Sequence, residues 1–222
     1  DMEYIYTTYI LDRAHEAGAL IVNHPRALRD INEKAYTAWF PEITPLTLVT
    51  RSMDDMKAFL SEHHHVVAKP LHGMGGRSVF VIRKGDKNAN VVFETLTQDG
   101  TEFAMVQMFI PEISDGDKRI LLIDGEPVPW CLARVPPEDD NRGNLVMGAQ
   151  GIGQELSDRD REICDQVGPV LRDNGVIFAG IDVIGDYLTE VNVTSPTAIR
   201  ELDKLYDLNI AGEMFDAIEK HL

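Results

Sequence analysis

Residues 69–78 have the sequence KPLHGMGGRS and lie between two apolar runs, 66–69 and 79–82, that predict short β-strands. Three glycines within four positions exceed what an ordinary hairpin turn requires. Glycine lets successive backbone amides approach an anion closely, and Lys69 adds a positive charge beside them. We therefore predict that this loop binds phosphate, with a plain hairpin turn as the alternative. It is not a P-loop, because no Gly-Lys-Ser/Thr precedes a helix, and it lacks the dinucleotide-binding fingerprint.

The hydrophobic pattern on either side of this loop predicts helices and strands in mixed order. The predicted strands are residues 20–22, 46–50, 66–69, 79–82, 104–110, 118–123, 127–134, 177–184 and 187–191. The predicted helices are residues 4–17, 26–39, 53–60, 91–96 and 157–174, with further helices after Ser195. Hairpins are more frequent than strand–helix–strand units, which indicates an α+β fold and argues against a doubly wound parallel sheet.

Two segments depart from this pattern. Residues 135–150 are polar, contain paired prolines and scattered glycines, and show no periodicity, which predicts a long mobile loop. Residues 1–33 open on a predicted helix and a short strand, with no strand before them. We expect the chain to begin partway through a larger fold, so that residues 1–33 are the remnant of an N-terminal domain.

The charge balance limits the kinds of partner. The 222 residues include 37 Asp and Glu against 21 Lys and Arg, and the net charge of -16 repels nucleic acid and anionic lipid. No apolar run approaches the roughly 20 residues that a membrane span needs, and no secretory signal opens the chain. We expect a soluble cytoplasmic protein without nucleic-acid or membrane partners. Cys131 and Cys164 lie among apolar neighbours and are predicted to be buried reduced thiols.

A set of oxygen ligands is predicted on a hairpin near the C-terminal end. Its turn at residues 185–186 brings Asp182 near Glu190 and Asn192, and the last two share a face because side chains alternate along a strand. Mg²⁺ favours such a set, since it binds through one or two carboxylates and keeps other positions for water and substrate phosphates. A solvated polar face on an edge hairpin is the alternative. Acidic residues within otherwise apolar strands favour the metal site.

Cations occur beside the glycine loop, at strand ends and at loop mouths, where an acidic protein needs a local positive field to bind an anion. They are Lys34, Lys69, Arg77, Arg119, Arg134 and Arg200. Arginine pairs bidentately with carboxylates, so Arg134 or Arg200 is a candidate for holding a substrate carboxylate or an acyl phosphate. Surface salt bridges are the alternative for each arginine. The three histidines at 63–65 are interpreted as solvated, because consecutive residues at a helix end point in different directions.

Taken in order, these segments closely resemble the bacterial glutathione synthetases, members of the ATP-grasp superfamily. The resemblance extends over nearly the whole chain. It rests on IVN (21–23), NEK (32–34), KP (69–70), GMGG (73–76), DGDKR (115–119), DGEPVP (124–129), LAR (132–134), RGN (142–144) and EVNVTSPT (190–197). The glycine loop alone would be a weak signal, whereas the ordered set is a strong one.

The resemblance implies an ATP-grasp fold, in which two α+β lobes grip ATP between them. On this basis we expect an ATP-grasp domain over residues 34–222, preceded only by the remnant at 1–33. Its two lobes would cover about 34–106 and 107–222. The polar loop at 135–150 would be a mobile lid that protects a reactive acyl phosphate from water.

The resemblance also implies roles for individual residues. The expected nucleotide contacts are the phosphate lysines Lys34 and Lys69, the phosphate loop Gly73, Met74, Gly75 and Gly76, and the adenine segment Gln107, Met108, Phe109 and Ile110. The expected metal ligands are Asp182, Glu190 and Asn192; the expected catalytic residues are Lys69, Arg119 and Arg134; the expected substrate residues are Arg134, Arg142, Asn144, Ser195, Thr197 and Arg200. Met108 and Phe109 stand where some relatives carry a polar and a different aromatic residue, which leaves adenine packing open in detail.

The implied reaction joins γ-glutamylcysteine to glycine. The peptide carboxylate takes the γ-phosphoryl group of ATP, and the glycine amine attacks the resulting acyl phosphate, with release of ADP and phosphate. ATP is the co-substrate and Mg²⁺, or Mn²⁺, the expected metal; a cytoplasmic homo-oligomer is the expected assembly. Two alternatives stay open at this point: another carboxylate–amine ligase such as a D-alanine–D-alanine ligase, and an ATP-binding fragment that is inactive without its N-terminal domain.

Overall fold

The computed structural model describes residues 2–73, 75–137 and 149–222, which form two antiparallel sheets and flanking helices. The first sheet contains, in spatial order, β1 (Thr47–Thr50), β4 (Ala104–Met108), β2 (His65–Pro70) and β3 (Phe80–Arg83). The second contains β7 (Gln150–Glu155), β6 (Glu126–Val135), β5 (Asp117–Ile123), β8 (Phe178–Ile184) and β9 (Tyr187–Asn192). The helices are α1 (Met2–Glu16), α2 (Pro25–Asp30), α3 (Met53–His63), α4 (Ala89–Thr97), α5 (Asp158–Asp173), α6 (Ile199–Tyr206) and α7 (Ile210–Glu219), with 3-10 helices at Ala35–Trp39 and Pro111–Asp115. The predicted α+β class is confirmed.

Among the described residues, helices α3 and α4 cover one face of the first sheet. Helix α3 begins after Ser52, whose hydroxyl oxygen accepts a hydrogen bond from an amide of the first turn. Met56 of α3 and Phe93 of α4 are fully buried in one cluster with Val66 of β2. Because side chains alternate across a strand, Val67 points to the opposite face, where it lines a cavity.

The second sheet is covered on both faces. Along β5, Ile120 packs in a cluster with α5, whereas the next residue, Leu121, packs in a separate cluster with α6 and α7. Helix α5 begins with a capping box in which Ser157 and Asp160 exchange side-chain and backbone hydrogen bonds. The ammonium group of Lys118 in β5 pairs with the buried carboxylate of Asp160 and so fixes the start of α5 to the sheet.

The strand predicted over residues 20–22 is wrong, because this segment pairs with no strand of the described chain. The buried side chain of Asn23 makes the connection instead. Its Oδ1 accepts hydrogen bonds from the amides of Ile177 and Phe178 at 2.8 and 3.0 Å. Its Nδ2 donates to the carbonyls of Phe178 and Val193, both at 2.7 Å. One amide side chain thus replaces the backbone bonds that a paired strand would make.

Two further predictions need correction. The helix predicted over residues 26–39 is interrupted: α2 ends at Asp30, and a separate 3-10 helix begins at Ala35 because the Asn32 side chain caps it. The loop predicted over residues 135–150 is shorter at both ends, since Val135 belongs to β6 and Gln150 opens β7. Strand β7 was missed because its glycine-containing sequence, QGIGQE, carries no alternating apolar pattern. Residues 138–148 of the predicted lid lie outside the described residues.

Two compositional expectations are also tested. None of the described helices is both long and apolar enough to cross a membrane. Cys131 and Cys164 are free and buried, as predicted. Burial raises the pKa of each thiol to about 12, so both stay protonated near neutral pH.

Candidate active site

A cavity of about 690 Å³ is lined by residues of both sheets. The first sheet contributes the side chains that its helices leave free, among them Val67, Lys69 and Val81. The second contributes Arg119 of β5 and Asp182 of β8. The cavity therefore combines an apolar wall with a strongly charged one, a composition suited to a ligand with a flat apolar part and an anionic part.

The apolar wall is formed by strand residues and the chain that follows β4. It includes Val67, Val81, Met108, Phe109 and Ile184. Gln107 also lines it, but its side-chain amide is engaged, since Nε2 donates to the Thr47 hydroxyl at 2.8 Å. A planar heteroaromatic group would fit this wall by dispersion contacts with Val, Met and Phe side chains.

Phe109 is backed by a second ring. The rings of His65 and Phe109 lie nearly parallel, with centroids 3.9 Å apart and 24° between their planes. The Phe109 amide also donates to the His65 carbonyl at 3.1 Å. Burial, with a smaller contribution from Arg83, lowers the pKa of His65, which favours the neutral imidazole. The interpretation of residues 63–65 as solvated is therefore wrong for His63 and His65, which are half-buried, and correct for the exposed His64.

The glycine loop has the backbone conformation that only glycine adopts readily. Gly73, Gly75 and Gly76 have φ values of +104°, +70° and +71°. An added Cβ at Gly73 or Gly75 would meet no atom within 4 Å, so conformation rather than space requires glycine there. Gly73, Gly75 and Gly76 all line the cavity. A turn built from glycines in this conformation leaves backbone amides free to point toward an anion.

Two lysines lie beside this loop, and both are buried. Lys69 makes no side-chain hydrogen bond or ion pair with the other described residues. Burial lowers the pKa of Lys69 and the Lys34 charge lowers it further, although Glu190 opposes the shift. Lys34 is more closely surrounded: its ammonium group pairs with Glu33, donates to the Gly73 carbonyl at 3.1 Å and lies 3.6 Å from Glu190. The uncompensated position of Lys69 favours a bound anion.

The charged wall is organised by strand pairing in the second sheet. Arg119 of β5 is paired with Asp182 of β8, and Asp182 is paired in turn with Glu190 of β9. Arg119 grips Asp182 with two nitrogens, Nε and Nη2, the latter at 2.8 Å. Arg134 shares its Nη2 between Asp182 at 3.0 Å and Asp117 at 2.5 Å. Two guanidinium groups are thus held in fixed positions at the cavity wall by buried carboxylates.

The two aspartates of this wall titrate in opposite directions. Burial acting alone would raise the pKa of Asp182, but Arg119 and Arg134 outweigh it and lower the value to about 2. Burial raises the pKa of Asp117 to about 7, since Arg134 only partly offsets it and the charges of Asp182 and Glu190 add to it. Asp117 Oδ1 is buried and accepts no hydrogen bond from the described residues. The wall therefore has an unused oxygen acceptor.

The oxygen donors of this wall suit a divalent cation that is shared with phosphates. The described residues contain no group of three or more His, Cys, Asp or Glu side chains arranged to hold a metal alone. Mg²⁺ does not require one, because it binds through one or two carboxylates and completes its coordination with water and substrate oxygens. Asp182 and Glu190 supply two carboxylates, and Asn192 lies beside them with its Nδ2 3.4 Å from Asp182 Oδ2.

The structure brings most of the predicted site residues to this one cavity. Those that line it are Lys34, Lys69, Gly73, Gly75, Gly76, Gln107, Met108, Phe109, Ile110, Arg119, Arg134, Asp182, Glu190, Asn192, Ser195 and Thr197. Arg77, a predicted cation, lines it as well. Arg200 lies in α6, is exposed and is not a lining residue, so its contact with substrate stays a prediction. Met74, Arg142 and Asn144 lie outside the described residues.

Sequence analysis missed three residues that shape the site. Glu33 and Asp117 line the cavity and pair with Lys34 and Arg134, and His65 supports Phe109. Glu33 lies in the NEK segment beside Lys34, and Asp117 lies in the DGDKR segment near Arg119. Their closeness in sequence to these predicted site residues is the signal that could have identified them. No comparable signal exists for His65, because its contact depends on how β2 pairs with β4.

Comparison with known proteins adds family information. The profile described as "Prokaryotic glutathione synthetase, ATP-grasp domain" matches residues 33–207, and "Prokaryotic glutathione synthetase, N-terminal domain" matches residues 1–29. Among curated proteins, the glutathione synthetase of Vibrio parahaemolyticus is 56% identical over all 222 residues, which cover 70% of its length. That of Escherichia coli O157:H7 is 53% identical over the same span.

Solved structures show the same fold at much lower identity. The ATP-grasp ligase PsnB, in a complex with Mg and ADP, superimposes with a TM-score of 0.68 at 20% identity. That match covers 97% of this chain and 67% of PsnB. The D-alanine–D-alanine ligase of Bacillus anthracis has a TM-score of 0.59 at 13% identity, covering 89% of this chain and 69% of the ligase. At these identities the likeness extends to the ATP-grasp fold only.

Proposed function

Because the chain belongs to the prokaryotic glutathione synthetase family, we propose that its cavity joins γ-glutamylcysteine to glycine with ATP as the co-substrate. The chain is an ATP-dependent carboxylate–amine ligase, an enzyme of glutathione synthesis. One structural observation carries the assignment of the site: a single cavity contains the glycine loop, two buried lysines and the arginine–carboxylate wall. A D-alanine–D-alanine ligase is not favoured, since that likeness is 13% identity against 56% to a glutathione synthetase.

The first half-reaction needs two anions to be held in line. A carboxylate oxygen of γ-glutamylcysteine forms a bond to the γ-phosphorus of ATP while the bond from that phosphorus to the bridging oxygen of ADP breaks. We assign the ATP phosphates to the glycine loop, Lys34 and Lys69, and the purine to the apolar wall around Met108 and Phe109. Each cation reduces the repulsion between the two anions, so the main contributions are positioning and electrostatics.

The second half-reaction forms the amide. The glycine amine attacks the acyl carbon, the bond from that carbon to the phosphate oxygen breaks, and the proton that the amine loses goes to the departing phosphate. We assign the acyl phosphate and the peptide carboxylate to Arg119 and Arg134, with Ser195 and Thr197 lining the same side of the cavity. Both guanidinium groups are held by Asp182, so their planes are fixed before substrate arrives.

A divalent metal ion accompanies ATP in this class of ligase. We assign it to Asp182, Glu190 and Asn192, with Mg²⁺ as the physiological ion and Mn²⁺ as a substitute. When bound, it would neutralise phosphate charge beside the transferred group. The proposal also includes Arg142 and Asn144 as substrate residues, and a lid formed by the predicted loop without Val135 and Gln150, which belong to strands. It further includes the lobe bounds near residues 34, 106 and 222, a cytoplasmic location and a homo-oligomer.

The decisive experiment measures phosphate release from ATP and Mg²⁺ with γ-glutamylcysteine and glycine present together or singly. We expect release and glutathione formation only with both acceptors. Glu190→Gln should reduce the rate by about 100-fold or more, because a metal ligand contributes several kcal/mol to the transition state. Glu126→Gln is the matched control, since Glu126 is exposed in the same sheet and pairs only loosely with Arg172 at 3.5 Å. Product formed from D-alanine alone, or ATP binding without any amide product, would contradict the proposal.

A further inference from the structure

Asn32 lies between α2 and the 3-10 helix at Ala35–Trp39, and both ends of its side-chain amide are used. Its Oδ1 accepts hydrogen bonds from the amides of Lys34 at 3.1 Å and Ala35 at 2.9 Å. Its Nδ2 donates to the carbonyl of Leu71, at the start of the glycine loop, at 3.0 Å. The same residue therefore caps the helix that begins after Lys34 and holds the loop that Lys34 faces.

The segment at residues 32–34 contacts the glycine loop at a second point. The Lys34 ammonium group donates to the Gly73 carbonyl at 3.1 Å, two residues beyond the carbonyl bound by Asn32. On its other side the segment is joined to the second sheet, because the Val191 amide of β9 donates to the Glu33 carbonyl at 2.8 Å. Residues 32–34 thus connect the glycine loop to the hairpin that carries Glu190.

The two contacts with the loop differ in kind. Lys34 is buried and lines the cavity, so a phosphate group entering there competes for the same ammonium protons that now reach Gly73. Asn32 does not line the cavity, so an anion bound there does not compete for its side-chain amide. Its bond to Leu71 is therefore the contact that persists while Lys34 turns to the ligand.

We propose that Asn32 is a positioning residue for the triphosphate of ATP: it fixes the glycine loop relative to Lys34, so that loop amides and ammonium group meet the same phosphates. The proposal rests on the function proposed above and adds a residue that touches neither substrate nor metal. Its action depends on the amide donor, because a carboxylate at this position would keep the two helix-capping bonds and lose the bond to Leu71.

The test compares matched pairs of variants in the full chain. Asn32→Asp removes the donor and places an oxygen against the Leu71 carbonyl; Asn174→Asp makes the same change at an exposed α5 terminus, where Nδ2 donates to Val170 at 2.7 Å. Asn32→Ala removes donor and cap without adding charge. Its control is Asn209→Ala, which removes the α7 cap, where Oδ1 accepts from Gly212 at 3.2 Å.

We expect both Asn32 variants to raise the KM for ATP and the dissociation constant of ADP about fivefold, the size of one lost side-chain hydrogen bond at a solvent-accessible site. The KM for γ-glutamylcysteine should change less than about twofold, and both controls should bind ADP like the unaltered protein. Asn32→Asp should lower the melting temperature no more than Asn174→Asp, which loses a comparable side-chain hydrogen bond, and this separates loop positioning from a general loss of stability.

Two results would overturn the proposal. If Asn32→Asp weakens ADP binding but Asn32→Ala does not, charge repulsion rather than loop position explains the effect. If both variants bind ADP like their controls, Asn32 only caps a helix. Failure of the proposed function is a separate result, because the unaltered protein would then form no glutathione whatever the Asn32 variants do.

Discussion

The two walls of the cavity are prepared for negative charge in different ways. The glycine loop of the first wall relies on backbone conformation, and beside it the buried Lys69 has no paired anion among the described residues. In the second wall the charges are side chains already paired with one another, Arg119 and Arg134 with Asp182 and Asp117. The first wall is therefore sensitive to changes in backbone geometry, and the second to any change in the number of charges.

The largest effect is expected from removing the charge of Asp182, the carboxylate that Arg119 and Arg134 share. Asp182→Asn keeps the shape but leaves the buried guanidinium group of Arg119 without its carboxylate partner, which should lower the free energy of unfolding by about 3–5 kcal/mol. Asp12→Asn is the control, because its pair with Arg29 is only partly buried and should cost no more than about 1 kcal/mol. Urea unfolding measures both. Equal losses would mean that the wall is not a coupled charge cluster.

A smaller effect is expected from pH, through Asp117 in the same wall. Its folded pKa of about 7 lies above the unfolded value of about 4, so the folded state holds more protons across that interval. The stabilisation is therefore complete below about pH 4 and is lost as pH rises through about 7, a decrease of roughly 2–4 kcal/mol. Asp182, with its pKa lowered to about 2, changes stability in the opposite sense, gaining it as pH rises from about 2 to 4.

Unfolding of the chelator-treated protein between pH 4 and 8 measures this contribution. Asp117→Asn mimics the protonated carboxyl group and should flatten the decline across that interval. An unchanged slope in the variant would assign the pH dependence to another group. Asp182 and Asp117 both pair with Arg134. Their pKa values differ because Asp182 pairs with two guanidinium groups, whereas Asp117 pairs with one.

The glycine loop should be sensitive to a single added methyl group. Gly75→Ala adds a Cβ at φ +70° in open space, which costs about 1 kcal/mol of stability and should raise the KM for ATP about tenfold as the loop shifts. Gly85→Ala imposes a similar strain at φ +91°, also in open space, but outside the cavity. It should lower the melting temperature by a similar amount and leave the KM unchanged. If both variants alter the KM, general loosening rather than loop geometry is responsible.

The difference between the walls also explains what could be predicted from sequence. The glycine loop and the hairpin that carries Asp182 and Glu190 are local features, encoded by glycine spacing and by strand alternation around one turn. Both were found, and the ladder places Asp182 opposite Glu190. The family resemblance then supplied the order of the segments, and the assignment of that family is confirmed.

Contacts between distant segments could not be predicted in the same way. The pairing of Asp117 with Arg134 depends on the register between β5 and β6, and the role of Asn23 depends on a side chain replacing a strand. Nothing in the local pattern distinguishes an amide that pairs with backbone from one that faces solvent. Asn32 was likewise visible only as part of the NEK segment, until its bond to Leu71 placed it against the loop.

The smallest effect is expected from removing the His65 ring, which stacks on Phe109 of the apolar wall. His65→Ala removes the ring stacked on Phe109 and should raise the KM for ATP about threefold, because an aromatic pair contributes roughly 0.5–1.5 kcal/mol. His65→Phe keeps a ring in place and should restore the KM. His63→Ala is the matched control, since the His63 ring contacts the Phe59 ring outside the cavity, with centroids 4.3 Å apart and 57° between the planes. If His65→Phe resembled His65→Ala, the imidazole itself rather than its stacking would be needed, and Phe109 would not depend on a ring behind it.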